Sequence, residues 1–279
     1  MARVLALLGV GVVPADTPIL RADDLGVLRG DGVFETIHVR DGEPWGLEPH
    51  LDRMARSAER LSMPLPPRAD LVELAGQACA AWSPEVEGGL RIVCTRGPED
   101  GGPVTAYATI APVAAATIAA RHNGVAVITA TLGVPAEVRT EAPWLLGGAK
   151  TLSYAINMAS LRWAAGQGAD DVLWVSVDGY ALEAPTSTLV WLVDGVLYTV
   201  PAATTGILAG TTAAYLLEHA GELGMRADER LIRPAELHDA DGVWLTSSSR
   251  GLAEVRTLDG VTLDPSPETT RMRKLLGYS

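Results

Sequence analysis

Apolar positions along the chain recur with two periods, one typical of short strands and one typical of helices. Asp-Gly pairs separate apolar or β-branched runs at Asp41-Gly42, Asp178-Gly179, Asp194-Gly195 and Asp259-Gly260. Because Asp and Gly tolerate the positive φ angles of two-residue turns, each pair predicts an antiparallel hairpin. Strict alternation of strands and helices is absent, which disfavours a doubly wound sheet or a barrel of parallel strands.

Helical spacing of apolar residues marks the segments between these hairpins. It predicts helices over 49–62, after Asp70 as an N-cap, from near Thr151 onwards, and over 211–223. The segment 112–122 is rich in small residues, weakly patterned and followed by a turn signal, so we place a domain boundary there. We therefore expect an α+β protein with a smaller N-terminal domain over 1–115 and a larger C-terminal domain over 122–279.

Composition narrows the classes of function. The chain has 279 residues, 48% of them hydrophobic, and a net charge of −12, which is typical of a globular protein with a substantial core. That charge argues against a nucleic-acid binder and against docking on an anionic membrane, although a few inward-facing arginines can still bind a small anion. Cys79 and Cys94 lack zinc-ligand spacing, so we expect no metal site and a reducing compartment. The apolar segment 4–13 suits a strand and turn better than a signal sequence, so a cytoplasmic protein is expected.

Two residues suggest covalent chemistry. Lys150 follows an apolar, small-residue run, where desolvation would lower its pKa and free the amine for Schiff-base chemistry. Glu183 precedes the hydroxyl residues 186–188 and could hold a protonated heteroaromatic nitrogen. Taken alone, each has an ordinary alternative, a solvated lysine at a helix start and an exposed glutamate at a strand end.

Three further segments suggest anion binding. Gly210-Thr211-Thr212 opens a predicted helix, where backbone N–H groups and hydroxyls can bind an anion, or simply cap the helix. The run Thr246–Ser249 before Arg250 offers hydroxyls to a phosphate, or is a polar loop. Arg53 lies with Arg56 and Arg60 on the polar side of its helix and could bind a phosphate or face solvent.

The order of these segments resembles that of the class IV pyridoxal-phosphate enzymes of the branched-chain and D-amino-acid type. The matching segments also include Gly30-Asp-Gly-Val-Phe-Glu-Thr36, His50-Leu-Asp-Arg53 and Lys150-Thr-Leu-Ser-Tyr154. The resemblance spans about residues 21 to 263. It implies a two-domain class IV aminotransferase fold like that of D-amino-acid aminotransferase, with pyridoxal 5′-phosphate in the cleft, and a homodimer.

The resemblance also implies a role for each matched position. Lys150 is similar to the lysine that binds the cofactor covalently, and Glu183 to the carboxylate that pairs with the pyridinium nitrogen. Arg53, Thr211, Thr212 and Ser248 match phosphate-binding positions. Tyr154 is similar to the tyrosine that contacts the phenolic oxygen of the ring, and Leu208 to the apolar residue that packs under it.

Departures from the family pattern narrow the expected activity. Where D-amino-acid enzymes use a tyrosine and an Arg-x-His pair to bind the substrate carboxylate, this chain has Phe34 and no Arg-x-His after Arg96-Gly97. The tyrosine and arginine set of branched-chain enzymes is also missing. The motifs around Phe34, Lys150 and Glu183 most resemble actinobacterial 4-amino-4-deoxychorismate lyases, which release pyruvate and form 4-aminobenzoate in folate biosynthesis.

The resemblance to these lyases leads to a hypothesis about the reaction. Lys150 would remove the proton from the carbon that bears nitrogen, and Lys150 or Thr36 would protonate the departing pyruvate enol. Arg29, Arg96 and Arg250 are candidates for the two substrate carboxylates, because the planar guanidinium suits them. Two alternatives remain open: an aminotransferase for D- or branched-chain amino acids, and a non-catalytic binding protein that keeps the fold.

Overall fold

The computed structural model describes residues 3–278, which group into two compact units. The first unit contains the chain up to Ala114 together with Ala149–Tyr154, and the second contains Ala115–Gly148 and the chain from Ala155 onwards. The division into domains over 1–115 and 122–279 stays a prediction. The grouping differs from it in one respect, since the short segment that carries Lys150 belongs to the first unit.

An antiparallel sheet forms the centre of the first unit. Its strands are β1 (Val4–Leu7), β2 (Gly11–Val13), β3 (Gly32–Arg40), β4 (Glu43–Pro44), β5 (Gly88–Thr95) and β6 (Thr105–Pro112). Among the described residues their order is β2-β1-β6-β5-β3-β4. The helices of this unit are α1 (Leu25–Arg29), α2 (Leu47–Arg60) and α3 (Arg68–Ala80).

Alternation along β3 divides its side chains between the two faces of the sheet. Ile37 joins the buried apolar core to which α2 and α3 contribute, and Glu35 shares that face. Phe34 and Thr36 therefore lie on the opposite face, and Arg91 of β5 pairs directly across from Thr36. One strand thus supplies core residues on one side and candidate site residues on the other.

A mixed sheet forms the centre of the second unit. Its strands are β7 (Val125–Thr131), β8 (Asp171–Val175), β9 (Thr188–Val193), β10 (Val196–Thr199), β11 (Arg226–Glu229), β12 (Gly242–Ser247), β13 (Gly251–Leu258) and β14 (Val261–Thr262). The order is β11-β10-β9-β12-β13-β7-β8, and β14 pairs with β13. The α-helices are α4 (Ala115–Asn123), α5 (Val138–Glu141), α6 (Ala155–Gly166), α7 (Ala202–Thr205), α8 (Thr211–Glu218) and α9 (Glu268–Leu275). Short 3₁₀ helices cover Pro143–Leu145, Ala220–Leu223 and Pro234–Asp239.

Three of the four predicted two-residue hairpins are confirmed. Asp41, Asp194 and Asp259 have φ angles of 53°, 50° and 50°, and each is followed by a glycine with positive φ. The prediction at Asp178 is wrong, because its carboxylate accepts a hydrogen bond from the distant Ala136 N–H and the chain makes a wider turn there. The parallel pairs β7–β8, β7–β13 and β10–β11 were not predicted from the hairpin signals.

The predicted helices are present, with shifted ends. The helix expected from near Thr151 begins at Ala155, because residues 150–152 are hydrogen-bonded along β3. The helix expected over 211–223 continues as α-helix only to Glu218, and the helix near Asp70 begins at Arg68 with Pro67 as its N-cap. Most of the segment 112–122, where we placed a domain boundary, lies in α4. None of the described helices is long and apolar enough to span a bilayer.

Candidate functional site

The backbone of Lys150 is fixed between a helix and a strand of the first unit. Its N–H donates to Ser57 Oγ of α2 at 3.0 Å, and its carbonyl accepts from the Phe34 N–H of β3 at 3.1 Å. The segment comes close enough that a Cβ on Gly32 would lie 2.6 Å from Leu152 Cδ1. The Gly-Asp-Gly motif thus has a local reason, because Gly32 makes room for the chain that carries the lysine.

Two aromatic rings surround the ammonium of Lys150. Its Nζ lies 4.4 Å from the ring centre of Phe34 and 5.6 Å from that of Tyr154. The two rings meet edge to face, 5.2 Å apart at an interplanar angle of 86°. The lysine is half-buried, and its amine is held beside π-faces that stabilise a cation at close range.

Arg53 is buried in an ionic cluster rather than exposed with Arg56 and Arg60. Its Nε and Nη2 donate to the two oxygens of Glu35 at 2.8 and 2.6 Å, a bidentate pair. His50 Nδ1 donates to the same carboxylate at 2.7 Å. The Ser57 hydroxyl donates to the Arg53 carbonyl at 2.9 Å and so links this cluster to the Lys150 N–H.

The charges of this cluster shift the pKa values of its members. Burial acts to raise the pKa of Glu35, but the positive charge of Arg53 and the hydrogen bonds from Arg53 and His50 outweigh it and lower that pKa to about 2. Burial lowers the pKa of His50, and the positive charges of Arg53 and Lys150 act in the same direction. At neutral pH the cluster therefore holds one carboxylate, one guanidinium and a neutral imidazole.

Glu183 is buried in the second unit, which rejects the alternative of an exposed strand end. One of its oxygens accepts from Arg139 Nη2 at 3.1 Å, and the other accepts from the Leu208 N–H at 3.0 Å. These donors fix the plane of the carboxylate, a group that only accepts hydrogen bonds and has about four acceptor sites on its two oxygens. Nothing in the sequence indicated Arg139, because its partner Glu183 lies far along the chain.

The hydroxyl residues of the second unit offer donors for an anion. Helix α8 begins at Thr211, and its N-cap residue is Gly210, which has no side chain to cap the helix. Thr212 Oγ1 is buried and has no hydrogen-bond partner among the described residues. Ser248 is buried in the turn between β12 and β13. An orphaned hydroxyl beside a helix N-terminus fits a bound phosphate group.

The three arginines predicted for the substrate are all in ion pairs. Arg29 pairs with Glu99, Arg96 Nε with Asp31 at 2.7 Å, and Arg250 Nη1 with Asp171 at 2.7 Å. Arg96 also donates to the carbonyls of Leu61 and Ser62. Their role in binding the substrate stays a prediction, and their carboxylate partners would compete with the substrate carboxylates for the guanidinium groups.

A fourth arginine, Arg91, was missed by the sequence analysis. It is exposed, and within residues 3–278 no carboxylate pairs with it. Its Cζ lies 5.7 Å from the ring centre of Phe34, the ring that also contacts Lys150. The one sequence signal for Arg91 is a charged residue at an exposed position of the otherwise mostly buried strand β5.

Comparison with known proteins decides the family. The model of the family described as amino-transferase class IV matches residues 32–258. The chain belongs to the class IV aminotransferase family. The predicted α+β class IV aminotransferase fold is thereby confirmed, and the protein belongs to a family of enzymes.

Individual members of the class IV aminotransferase family are similar over almost the whole chain. A bifunctional aminodeoxychorismate lyase / D-amino acid transaminase of Mycobacterium tuberculosis is 47% identical over 260 residues, covering 90% of this chain and 89% of that protein. A solved structure of a hypothetical aminotransferase from Mycobacterium tuberculosis in its PLP-bound form has a TM-score of 0.95 at 42% identity, covering 99% and 97% of the two chains. The form described as bound to alpha-ketoglutarate and PMP also has a TM-score of 0.95, at 43% identity, covering 98% and 97%.

Proposed function

We propose that this protein is a pyridoxal-phosphate-dependent lyase that converts 4-amino-4-deoxychorismate to 4-aminobenzoate and pyruvate. The observation that carries the proposal is the 47% identity, over 90% of this chain, to a relative whose described activities include aminodeoxychorismate lyase. The missing tyrosine hydroxyl at Phe34 is consistent with it, since a simple amino acid would lose one of its carboxylate donors.

The residues present fit the cofactor. Lys150 offers the amine for covalent binding, and the chain contains only one other lysine, Lys274 on α9. Glu183 would accept the N–H of the ring nitrogen, with Tyr154 and Leu208 against the ring. Arg53 and the hydroxyl residues Thr211, Thr212 and Ser248 would bind the phosphate. When bound, the cofactor supplies an aldehyde that takes up the substrate amine and a ring that withdraws electrons.

Each protein group then has a defined task. Lys150 Nζ removes the proton from the ring carbon that bears nitrogen, the bond from the neighbouring carbon to the enolpyruvyl oxygen breaks, and the substrate ring becomes aromatic. Glu183, held by Arg139 and the Leu208 N–H, keeps a proton on the heteroaromatic nitrogen. Lys150 Nζ returns the proton to the pyruvate enol, either directly or by passing it through the Thr36 hydroxyl, so the proton count closes without a second substrate.

Arg91 is the arginine best suited to a substrate carboxylate. Its guanidinium lacks a carboxylate partner among the described residues, and it pairs across the strands from Thr36, close to the ring that Lys150 contacts. We expect Arg91→Gln to raise the KM for aminodeoxychorismate by about tenfold to a hundredfold while leaving thermal stability nearly unchanged. The matched control is Arg226→Gln on β11, an exposed arginine away from α6, and equal KM values for both variants would contradict the assignment.

The direct test of the function is a product assay. The purified holoenzyme is incubated with aminodeoxychorismate, and 4-aminobenzoate and pyruvate are quantified in parallel. The proposal predicts equal amounts of both products and loss of both in Lys150→Ala. If the holoenzyme has pyridoxal phosphate bound and forms both products only at background levels, the proposed lyase activity is contradicted.

A D-amino-acid transaminase activity is the second candidate. It is supported by the second activity described for the 47%-identical relative and by the similar structure described as holding alpha-ketoglutarate and PMP. The test is spectroscopic: D-alanine or D-glutamate should convert the bound cofactor to its amine form, and alpha-ketoglutarate should reverse the change. A spectrum unaffected by D-amino acids would contradict the transaminase activity and leave the lyase activity as the proposal. The same experiment with branched-chain L-amino acids tests the alternative of a branched-chain aminotransferase.

We also propose that the protein acts as a homodimer. Large apolar side chains are exposed on α6, among them Ile156 at 68% and Trp163 at 48%, and burial in an interface would remove them from water. Light scattering of the purified protein should give twice the chain mass of 29.3 kDa. A monomer mass at micromolar concentration would contradict the proposal.

A further inference from the structure

The turn between β12 and β13 is held by two side chains from distant parts of the second unit. Ser247 pairs with Gly251, so the turn consists of Ser248, Ser249 and Arg250. The Tyr278 hydroxyl donates to the Ser248 carbonyl at 2.8 Å. Arg121 Nη2 donates to the Ser249 carbonyl at 3.0 Å, and its Nε donates to the Arg250 carbonyl at 3.1 Å. Every carbonyl of the turn therefore has a side-chain donor.

These two side chains also contact each other. Arg121, in the last turn of α4, has its Cζ 4.2 Å from the ring centre of Tyr278, a cation–π contact. Both are buried, with exposures of 3% and 6%. Gly251, at a φ of 69°, lets the ring approach, since a Cβ there would lie 2.5 Å from Tyr278 Cε2.

A three-residue turn does not need buried side chains to satisfy its carbonyl groups. Turns of this kind ordinarily face water, which satisfies their carbonyls, whereas desolvating a guanidinium is costly. The carbonyl and the following N–H of a planar peptide point in opposite directions. Holding the Ser248 and Ser249 carbonyls toward Arg121 and Tyr278 therefore turns the N–H groups of Ser249 and Arg250 away from them. The Ser249 N–H is thereby left to face an anion, whereas the Arg250 N–H beside it makes only a long contact of 3.4 Å to Ser247 Oγ.

The guanidinium of Arg250 is fixed as well. Its Nη1 donates to Asp171 Oδ2 at 2.7 Å and to Ser187 Oγ at 3.2 Å, and its backbone N–H lies 3.4 Å from Ser247 Oγ. The turn is thus immobilised at its carbonyls by one pair of residues and at its last side chain by another.

We propose that Arg121 and Tyr278 are positioning residues that fix the Ser248–Arg250 turn for binding the phosphate group of the cofactor. This inference rests on the proposed function, because it takes the phosphate of pyridoxal phosphate as the ligand of the turn. Neither residue touches the ligand. They set the direction of the groups that do.

The test compares pyridoxal phosphate with pyridoxal, which lacks the phosphate. Apoenzyme is titrated with each compound, and binding is followed by absorbance. We expect the wild type to prefer pyridoxal phosphate strongly. Tyr278→Phe, which keeps the ring and loses one hydrogen bond, should lower the affinity for pyridoxal phosphate about threefold to tenfold and leave that for pyridoxal unchanged. Arg121→Lys, which loses the two-pronged contact, should lower it further.

Controls separate positioning from folding. Tyr198→Phe removes a hydroxyl from a half-buried tyrosine of the same unit, stacked on Trp191, and should leave both affinities unchanged. If Tyr278→Phe lowers the Tm of the apoenzyme while the ratio of the two affinities stays at the wild-type value, the positioning role is overturned and the proposed function stands. If wild-type protein binds both compounds equally, the phosphate site itself is refuted, and the proposed function falls with it.

Discussion

The ionic cluster of the first unit and the candidate site residues of the second unit differ in how completely the protein satisfies their polar groups. Glu35 receives three hydrogen bonds, two from Arg53 and one from His50, and its charge is neutralised within the fold. In the second unit, Thr212 Oγ1 and Arg139 Nε are buried without a partner among residues 3–278. A buried polar group without a partner costs about 1–3 kcal/mol, so the second arrangement is less stable than it could be. The difference indicates that the ionic cluster of the first unit is preformed without a ligand, whereas the buried polar groups of the second unit need a ligand to complete their hydrogen bonds.

Removing the amine of Lys150 should have the largest effect on function. Lys150→Ala deletes both the covalent attachment and the proton transfer, so turnover should fall by at least about a thousandfold. Its backbone contacts to Ser57 and Phe34 remain, so the fold should be kept. The variant is checked by product formation and by circular dichroism. Lys274→Ala is the matched control, and a comparable loss of turnover in both variants would refute the role of Lys150.

Breaking the ionic cluster of Glu35, His50 and Arg53 should have the largest effect on stability. Glu35→Gln leaves the guanidinium of Arg53 buried without a counter-charge, which should destabilise the ligand-free protein by about 3–5 kcal/mol. Urea denaturation of the apoenzyme measures the change. A loss below about 1 kcal/mol would mean that the cluster is not the preformed support inferred here.

Acid should weaken the same cluster. The pKa of Glu35 is lowered to about 2 from its ordinary value of 4.5, so its stabilising contribution is complete above pH 4.5 and is lost as the pH falls toward 2. His50, whose pKa is also lowered, adds a loss in the same direction, since the unfolded chain takes up its proton first. Unfolding free energies measured between pH 7 and pH 3 should therefore decline more steeply for the wild type than for Glu35→Gln. Parallel curves would contradict this.

The smallest expected effect concerns the orphaned hydroxyl. Thr212→Val removes a buried polar atom without a partner, so the ligand-free protein should be unchanged or slightly more stable, while the affinity for pyridoxal phosphate falls about tenfold. Thr257→Val on β13 is the control. If Thr212→Val destabilises the ligand-free protein and keeps its affinity for pyridoxal phosphate, the polar groups of the second unit do not depend on a ligand.

The sequence could predict what depends on neighbouring residues. Asp41, Asp194 and Asp259 specify their turns locally, and their hairpins were found. Asp178 was misread because its carboxylate accepts a hydrogen bond from the distant Ala136 N–H. The weak pattern of the segment 112–122 indicated a domain boundary but not helix α4, because its run of alanines has helix propensity without an apolar period.

The candidate site shows the same limit. Lys150, Glu183 and Arg53 were identified through their order along the chain, which the family shares. Glu35 and Arg139 were missed because each acts through a partner that is distant in sequence. Glu35 pairs with Arg53, and Arg139 pairs with Glu183. Pairwise charge contacts of this kind leave no periodic signal.

The most direct measurement of the central claim is the site of cofactor attachment. The holoenzyme is reduced with borohydride, digested and examined by mass spectrometry, and only two lysines compete for the label. We expect the pyridoxyl mass on the peptide that contains Lys150. A label on the Lys274 peptide, or none on either peptide, would contradict it.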